Sequence, residues 1–250
     1  MYQLMGVLSN VTDTATFARG MQLGISFYAS IRAQIENRRY HAPIPISQTI
    51  EVDPSHITHE MEQSFNQSKY PQVLEGDWDT AIVPLRERLE YQSFERHFVE
   101  GVPWNETKLY ENHLDKVGKE NSRYTSRDDL DNRCEYWDTL YTNIRKNGYK
   151  SQQELAGNDF IDPLDSNVSL LPPAQREIRL NIGRDGELIF VDGLHRFCIV
   201  QLLGLDAIPV WIQHRHEIWQ RKRNRAIRNP DKFGRDVLEH PDIQFILESR

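Results

Sequence analysis

The residues best suited to chemistry lie in one turn, residues 192–196, with the sequence Asp-Gly-Leu-His-Arg. Four apolar residues, Leu188–Val191, precede it, and a segment of helical length ending at Gly204 follows it, which predicts strand, turn and helix. A helix start favours anions, and an arginine and a histidine in its first turn add charged donors. The spacing therefore predicts a phosphate cradle. It leaves open an ordinary strand-to-helix turn capped by Asp192.

Composition places the chain among globular proteins. It has 250 residues, 38% of them hydrophobic and 27% charged, and a formal net charge of −7. That charge argues against a protein that coats nucleic acid non-specifically, although it allows a local basic patch. The two cysteines, Cys134 and Cys198, lie in apolar helical patterns and are expected to be buried free thiols. With no export signal and no long apolar run, we expect a cytoplasmic protein that does not span a membrane.

Periodicity and turn residues predict the elements that hold this turn. Strands are expected at residues 49–52, 177–182, 187–191 and 208–212, with a hairpin through Gly183–Gly186. The strand at 208–212 is expected to run parallel to the one before the helix. Helices are expected at residues 15–38, 84–101, 103–117, 127–148, 194–203 and 214–228, and loops at about 64–78 and 158–173.

Three blocks of this chain, residues 50–57, 140–152 and 190–209, resemble the ParB/sulfiredoxin-like superfamily in the order typical of that family. The third block is the most specific, because it combines the Gly-x-His-Arg turn with a helix ending in Leu-Gly-Leu and a strand beginning Ile-Pro-Val. The resemblance implies an α/β (α+β) fold with a small mixed sheet and many added helices. It divides the chain into an N-terminal helical extension (1–48), a family domain (49–213) with a helical insertion at about 60–131, and a basic helix and tail (214–250).

The resemblance implies nucleotide binding, with Gly193, His195 and Arg196 near the phosphates. Sulfiredoxins carry a catalytic cysteine where this chain has Leu194, so a sulfinic-acid reductase is excluded. Chromosome-segregation members, which bind CTP and DNA, usually have Glu-Arg-Arg after the glycine and a downstream helix-turn-helix domain. This chain departs from them, with Leu-His-Arg after the glycine and one predicted helix and a short tail after Ile212. Free-serine kinases of the superfamily have an Asp-Gly-His-x-Arg-like turn, and the turn that begins at Asp192 is similar to it with the histidine displaced by one position.

Phosphoryl transfer needs held phosphates, a bridging divalent ion and a carboxylate that orients the attacking hydroxyl. Asp192 is the candidate for the metal or base role, and His195 and Arg196 would neutralise phosphate charge. The expected cofactor is ATP, ADP or CTP with Mg, and the expected acceptor is a small molecule with a hydroxyl group. A second carboxylate is needed, and three candidates remain open: Asp53, Glu51 and Glu177.

Aromatic residues of the insertion are candidates for the wall of an acceptor pocket, although packing explains them equally well. They are Trp78, Trp104 and Tyr110.

A nucleotide-switched DNA-binding or regulatory module is the alternative function. Arg221, Arg225 and Arg228 share one face of the predicted basic helix, and such a face can meet nucleic-acid phosphates. A solvated face that pairs with acidic residues is the other explanation.

Two histidine groups have spacings that metal ligands use, but neither has a third ligand nearby in sequence. They are expected to be surface histidines: His56 and His59 with Glu60, and His214 with His216. A second hypothesis for His214 and His216 is that they line the same cleft as the turn, because alternate side chains of a strand share a face.

Overall fold

The computed structural model describes residues 38–62, 71–120, 122–155 and 172–249, together with residues 31 and 35. Within these ranges seven strands form one mixed sheet: β1 Ile50–Val52, β2 His59–Met61, β3 Gln72–Leu74, β4 Ile82–Pro84, β5 Ile178–Ile182, β6 Leu188–Asp192 and β7 Ile208–His216. The α-helices described are α1 Leu89–Phe98, α2 Lys108–Leu114, α3 Arg127–Asn147, α4 Gln152–Leu155, α5 Leu194–Leu202, α6 Glu217–Arg228, α7 Arg235–Leu238 and α8 Pro241–Glu248. The predicted mixed α and β class with extensive added helices is confirmed.

The sheet order is β1-β7-β5-β6-β2-β4, with β3 also paired to β7. The central strand β5 is antiparallel to β6 and parallel to β7, with Ile178 opposite Val210 and Ile182 opposite Leu188. The end of β6 therefore lies beside the start of β5. The end of β7 lies at the other end of the sheet, beside the β5–β6 hairpin.

Helices cover both faces of the sheet. Strand β7 shows this, because it is buried along almost its whole length and successive side chains of a strand point to opposite faces. Helix α5 packs against β5, and α1 and α3 pack against α5. Helices α6 and α8 pack against each other, α6 against β7, and α8 against β1. No helix among the described residues is both long and apolar enough to cross a membrane.

Several predicted elements agree with the structure and several do not. The β5–β6 hairpin, α5 and the long helix α3 lie where they were predicted. Strand β7 is parallel to β5 but opposite in direction to β6, so the prediction that it runs parallel to the strand before the helix is wrong. The region predicted as a helical insertion also contains β3 and β4.

The chain extends β7 to His216, so the helix predicted from residue 214 begins three residues later. His216 takes the N-cap position of α6, and its side chain accepts a hydrogen bond from the Ile218 amide. The predicted helix at 15–38 lies outside the described residues except at residues 31, 35 and 38, and the predicted loop at 158–173 lies outside them except at residues 172 and 173.

Candidate functional site

Gly193 makes the turn between β6 and α5 in a backbone conformation that favours glycine. Its φ is 92°, in the left-handed region, and a Cβ there would lie 3.1 Å from the backbone Cα of Ile178. Backbone strain and close packing against β5 thus both require a residue without a side chain. The Gly193 carbonyl accepts the first helical hydrogen bond, from the Phe197 amide at 3.0 Å.

Helix α5 begins without a side-chain cap, because Gly193 occupies its N-cap position. Asp192 does not cap the helix, which was the alternative that the sequence left open. Its carboxylate accepts instead from the adjacent Gly193 amide at 2.7 Å and forms an ion pair with Arg179. Partial desolvation opposes ionisation of the exposed Asp192, but Arg179 and the Gly193 amide outweigh it and lower the pKa of Asp192. Asp192 is therefore an ionised carboxylate beside an uncapped helix start.

Arg196, in the first turn of α5, is held by the chain around residues 149–177. It donates to the Tyr149 hydroxyl at 3.2 Å and to the Arg176 carbonyl at 2.6 Å, and it lies 3.6 Å from the Glu177 carboxylate. Burial disfavours its charge, but Tyr149 and Glu177 outweigh burial and raise the pKa of Arg196.

The structure thus joins Asp192, Arg196 and the carboxylate candidate Glu177 to two residues that the sequence did not mark as functional, Tyr149 and Arg179. We refer to Tyr149, Glu177, Arg179, Asp192 and Arg196 as the turn cluster. Glu177 and Arg179 lie two residues apart at the start of β5, and residues two apart in a strand share a face. The sequence therefore allowed the prediction that these two charged side chains lie together. For Tyr149 there was little indication in the sequence of a functional role beyond its position directly after Gly148, the glycine that ends α3.

The three candidates for a second carboxylate differ in what they already bind. Asp53 caps a short 3-10 helix by accepting from the Ser55 amide at 2.8 Å, and this hydrogen bonding lowers its pKa. Glu177 is buried and accepts from the Tyr149 hydroxyl at 2.8 Å and from the Gln152 amide. Burial is the main cause that raises the pKa of Glu177.

Glu51 combines solvent exposure with a raised pKa, whereas Asp53 has a lowered pKa and Glu177 is buried. Glu51, on β1, pairs with Pro209 of β7. On the other side of β7, Ile178 of β5 pairs with Val210, which places Glu177 level with Pro209 as well. The two glutamates therefore lie on the same face of the sheet, on either side of β7. Partial desolvation and the nearby Glu154 carboxylate raise the pKa of Glu51. Of the three candidates, Glu51 is the one suited to accept a proton.

His195 is half-buried and contacts the inserted helices. Its ring stacks on Phe94 of α1, with centroids 5.7 Å apart, and lies 4.8 Å from the ring of Trp137 of α3. The insertion therefore adjoins the predicted phosphate turn directly and fixes the orientation of this histidine.

The three aromatic residues suggested for an acceptor pocket serve packing and hydrogen bonding. Trp104 donates to Asp138 at 2.8 Å, and the Tyr110 hydroxyl donates to Asp131 at 2.6 Å. Trp78 lies beside His216, at the end of the sheet opposite to the turn. None of these contacts involves the turn cluster.

The histidines of β7 are not surface residues, and they do not adjoin the turn. His214 and His216 are buried, and they pair with Asn181 of β5 and Leu74 of β3, near the β5–β6 hairpin. His56 is exposed as predicted. Among the described residues, no three histidine, cysteine or acidic side chains come together in a way that could hold a metal ion. Cys134 and Cys198 are buried free thiols, as predicted.

The predicted basic helix divides into a buried and an exposed part. Arg223 of α6 and Arg215 of β7 are buried against Asp242 of α8, which lies 3.1 Å and 2.7 Å from their guanidinium nitrogens. Trp219 donates to the same carboxylate at 3.0 Å. We call Arg215, Trp219, Arg223 and Asp242 the buried ion cluster. The exposed part consists of Arg221, Arg225 and Arg228.

Comparison of the chain with protein-family models, with curated proteins and with solved structures gives no match in any of the three. The resemblance to the ParB/sulfiredoxin-like superfamily therefore stays a prediction from the three sequence blocks.

Proposed function

We propose that this protein binds nucleotide phosphates at the start of α5 and transfers a phosphoryl group to a small hydroxyl-bearing acceptor. The observation that carries the proposal is the uncapped start of α5 next to the fixed guanidinium of Arg196. A helix start supplies amide donors and a positive dipole end, and an arginine adds a planar fork of charged donors.

Two buried donors belong to residues that contact the turn through other atoms. Trp137, which contacts His195, has its indole N–H without a hydrogen-bond acceptor in the described part of the chain. The same holds for Nε of Arg176, the residue whose carbonyl binds Arg196. Buried polar groups are nearly always paired, so a ligand oxygen that reached either donor would satisfy it.

Asp192 fits the role of a magnesium ligand, because it is ionised and offers hard oxygen atoms. Protein sites commonly hold Mg²⁺ by one or two carboxylates, with phosphates completing the coordination, and the bound ion neutralises phosphate charge. Glu51, with its raised pKa and exposed position, would orient the acceptor hydroxyl and take its proton. Arg196 would bind a phosphate, and His195 would stand beside it with its ring fixed by Phe94.

Thermal unfolding with ATP, ADP, CTP or GTP plus magnesium tests the proposal, because a ligand that binds only the folded state raises the unfolding temperature. We expect one nucleotide to raise it in the wild type. We expect the shift to fall in Arg196→Lys, which keeps the charge but loses the fork, and to persist in the control Arg225→Lys. Absence of a shift with every nucleotide would refute the proposal.

A second candidate function, nucleic-acid binding, is favoured by one observation on α6. The helix buries one face and exposes Arg221, Arg225 and Arg228 on the other. In the described ranges Arg221 pairs with Glu217, whereas Arg225 and Arg228 form no ion pair. Two exposed arginines on one helix face can contact adjacent phosphates of a nucleic acid.

Salt dependence of duplex DNA binding tests this second candidate. The slope of log K against log salt concentration should be about −0.9 for each phosphate contacted. The double variant Arg225→Glu/Arg228→Glu should lose binding, while the matched exposed pair Arg145→Glu/Lys146→Glu on α3 should retain it. Equal binding by both double variants would exclude this face.

A further inference from the structure

Tyr149 lies at the centre of a three-residue bridge that ends on Arg196. Its hydroxyl donates to the Glu177 carboxylate at 2.8 Å and accepts from Arg196 Nη1 at 3.2 Å. The other terminal nitrogen, Nη2, donates to the Arg176 carbonyl at 2.6 Å. Both terminal nitrogens of the guanidinium are thus fixed by groups from the segment that precedes β5.

The bridge approaches Arg196 from the interior of the protein. The Glu177 side chain is only 1% exposed, whereas that of Arg196 is 24% exposed. Glu177 is itself anchored, since it also accepts from the Gln152 amide at the start of α4. The part of the guanidinium that reaches solvent is therefore presented by an anchored support.

We infer that Tyr149 and Glu177 are positioning residues, which hold the Arg196 guanidinium in place for an incoming phosphate; this inference rests on the proposed function. A free arginine side chain has many rotamers, and binding a ligand requires that they be given up. A guanidinium already fixed by Tyr149 and Glu177 avoids most of that cost. Tyr149 acts through Arg196 and need not touch the ligand.

The chain contains a matched control for Tyr149. The Tyr110 hydroxyl donates to Asp131 at 2.6 Å and accepts from Arg127 Nε at 3.2 Å, which is the same arginine–tyrosine–carboxylate bridge away from the turn. Tyr110→Phe removes an equivalent pair of hydrogen bonds. Any general effect of losing such a hydroxyl should appear in both phenylalanine variants.

Calorimetric titration with inorganic tripolyphosphate measures the phosphate contribution alone. We expect Tyr149→Phe to bind about fivefold more weakly than the wild type, and Tyr110→Phe to bind like the wild type. In the Arg196→Lys background, Tyr149→Phe should cause no further loss, because its effect passes through the arginine fork. A purely structural role of Tyr149 would give the same loss in both backgrounds.

The outcomes separate this inference from the proposed function. If the wild type binds tripolyphosphate and Tyr149→Phe binds equally well, the positioning role is wrong and the phosphate site stands. An equal loss in the wild-type and Arg196→Lys backgrounds also overturns the positioning role. If the wild type does not bind tripolyphosphate, the proposed phosphate site is wrong and the inference falls with it.

Discussion

The turn cluster and the buried ion cluster are both built from arginines and carboxylates, but they lie at different depths. In the buried ion cluster, Arg215, Arg223 and Asp242 are at most 1% exposed. In the turn cluster, the Asp192 side chain is 55% exposed. Charges withdrawn from water must be matched internally, whereas exposed charges can exchange partners with a ligand. The first arrangement suits structure and the second suits binding.

The helix starts beside the two clusters differ in the same way. Helices α6 and α8 begin with His216 and His240, and each ring accepts the amide two residues later through Nδ1. Each Nε2 donates to a glycine carbonyl, of Gly76 and Gly186 respectively. These two helix starts are closed by side chains, whereas the start of α5 at Gly193 is not.

The largest expected effect is that of Asp242→Asn, which leaves the buried guanidiniums of Arg215 and Arg223 without a counter-charge. We expect a loss of about 3–5 kcal/mol in the free energy of unfolding. Urea unfolding measures it, with the exposed Asp231→Asn as control. A loss as small as that of the control would show that the buried ion cluster does not support the fold.

Acid should destabilise the protein through its buried histidines. Burial lowers the pKa of His214 to about 4, and burial also lowers the pKa of His240 despite the nearby Asp242. The folded-state pKa lies below the unfolded value, so the unfolded chain binds more protons and stability falls as pH drops below about 6.5. For His214 the loss should be about 3 kcal/mol between pH 7 and pH 4.

Urea unfolding at a series of pH values checks this expectation. The raised pKa values of Glu51 and Glu177 act in the opposite direction, so the test is the difference between variants. His214→Gln should flatten the profile, and the exposed His56→Gln should not. Parallel profiles for wild type and His214→Gln would contradict the lowered pKa.

Local patterns predicted the strand–turn–helix of residues 188–202 well, because its apolar run, Asp-Gly break and helical length all act within a few residues. Local patterns did not predict features of the structure that depend on residues far away in the sequence. Burial of His214 depends on β3 and β5, which pair with β7 across long separations in sequence. The alternative of a cap by Asp192 is not realised, because its carboxylate pairs with Arg179 of the neighbouring strand. The Arg196 bridge likewise needs Tyr149, distant in sequence.

Gly193→Ala should damage the turn more than an otherwise similar glycine replacement. Gly204, after the other end of α5, also has a positive φ, of 64°, but a Cβ there would meet nothing within 4 Å. Left-handed strain costs about 1–2 kcal/mol in both variants. Only in Gly193→Ala would the new Cβ also come within 3.1 Å of the Ile178 Cα, a contact so tight that β5 must shift slightly. We expect it to be the less stable and to lose tripolyphosphate binding, whereas equal behaviour of both variants would show that the close approach to β5 is unimportant.

Asp192→Asn makes the same change in the turn cluster that Asp242→Asn makes in the buried ion cluster, and it should have the smallest effect on stability. The pair with Arg179 is open to solvent, and such pairs contribute up to about 1 kcal/mol. Because Asp192 is a magnesium ligand in the proposed function, the variant should lose the part of the nucleotide shift that EDTA removes from the wild type. Unfolding and nucleotide titrations with magnesium or EDTA measure both effects. A stability loss as large as that of Asp242→Asn would make both clusters structural and remove the distinction on which the proposed site depends.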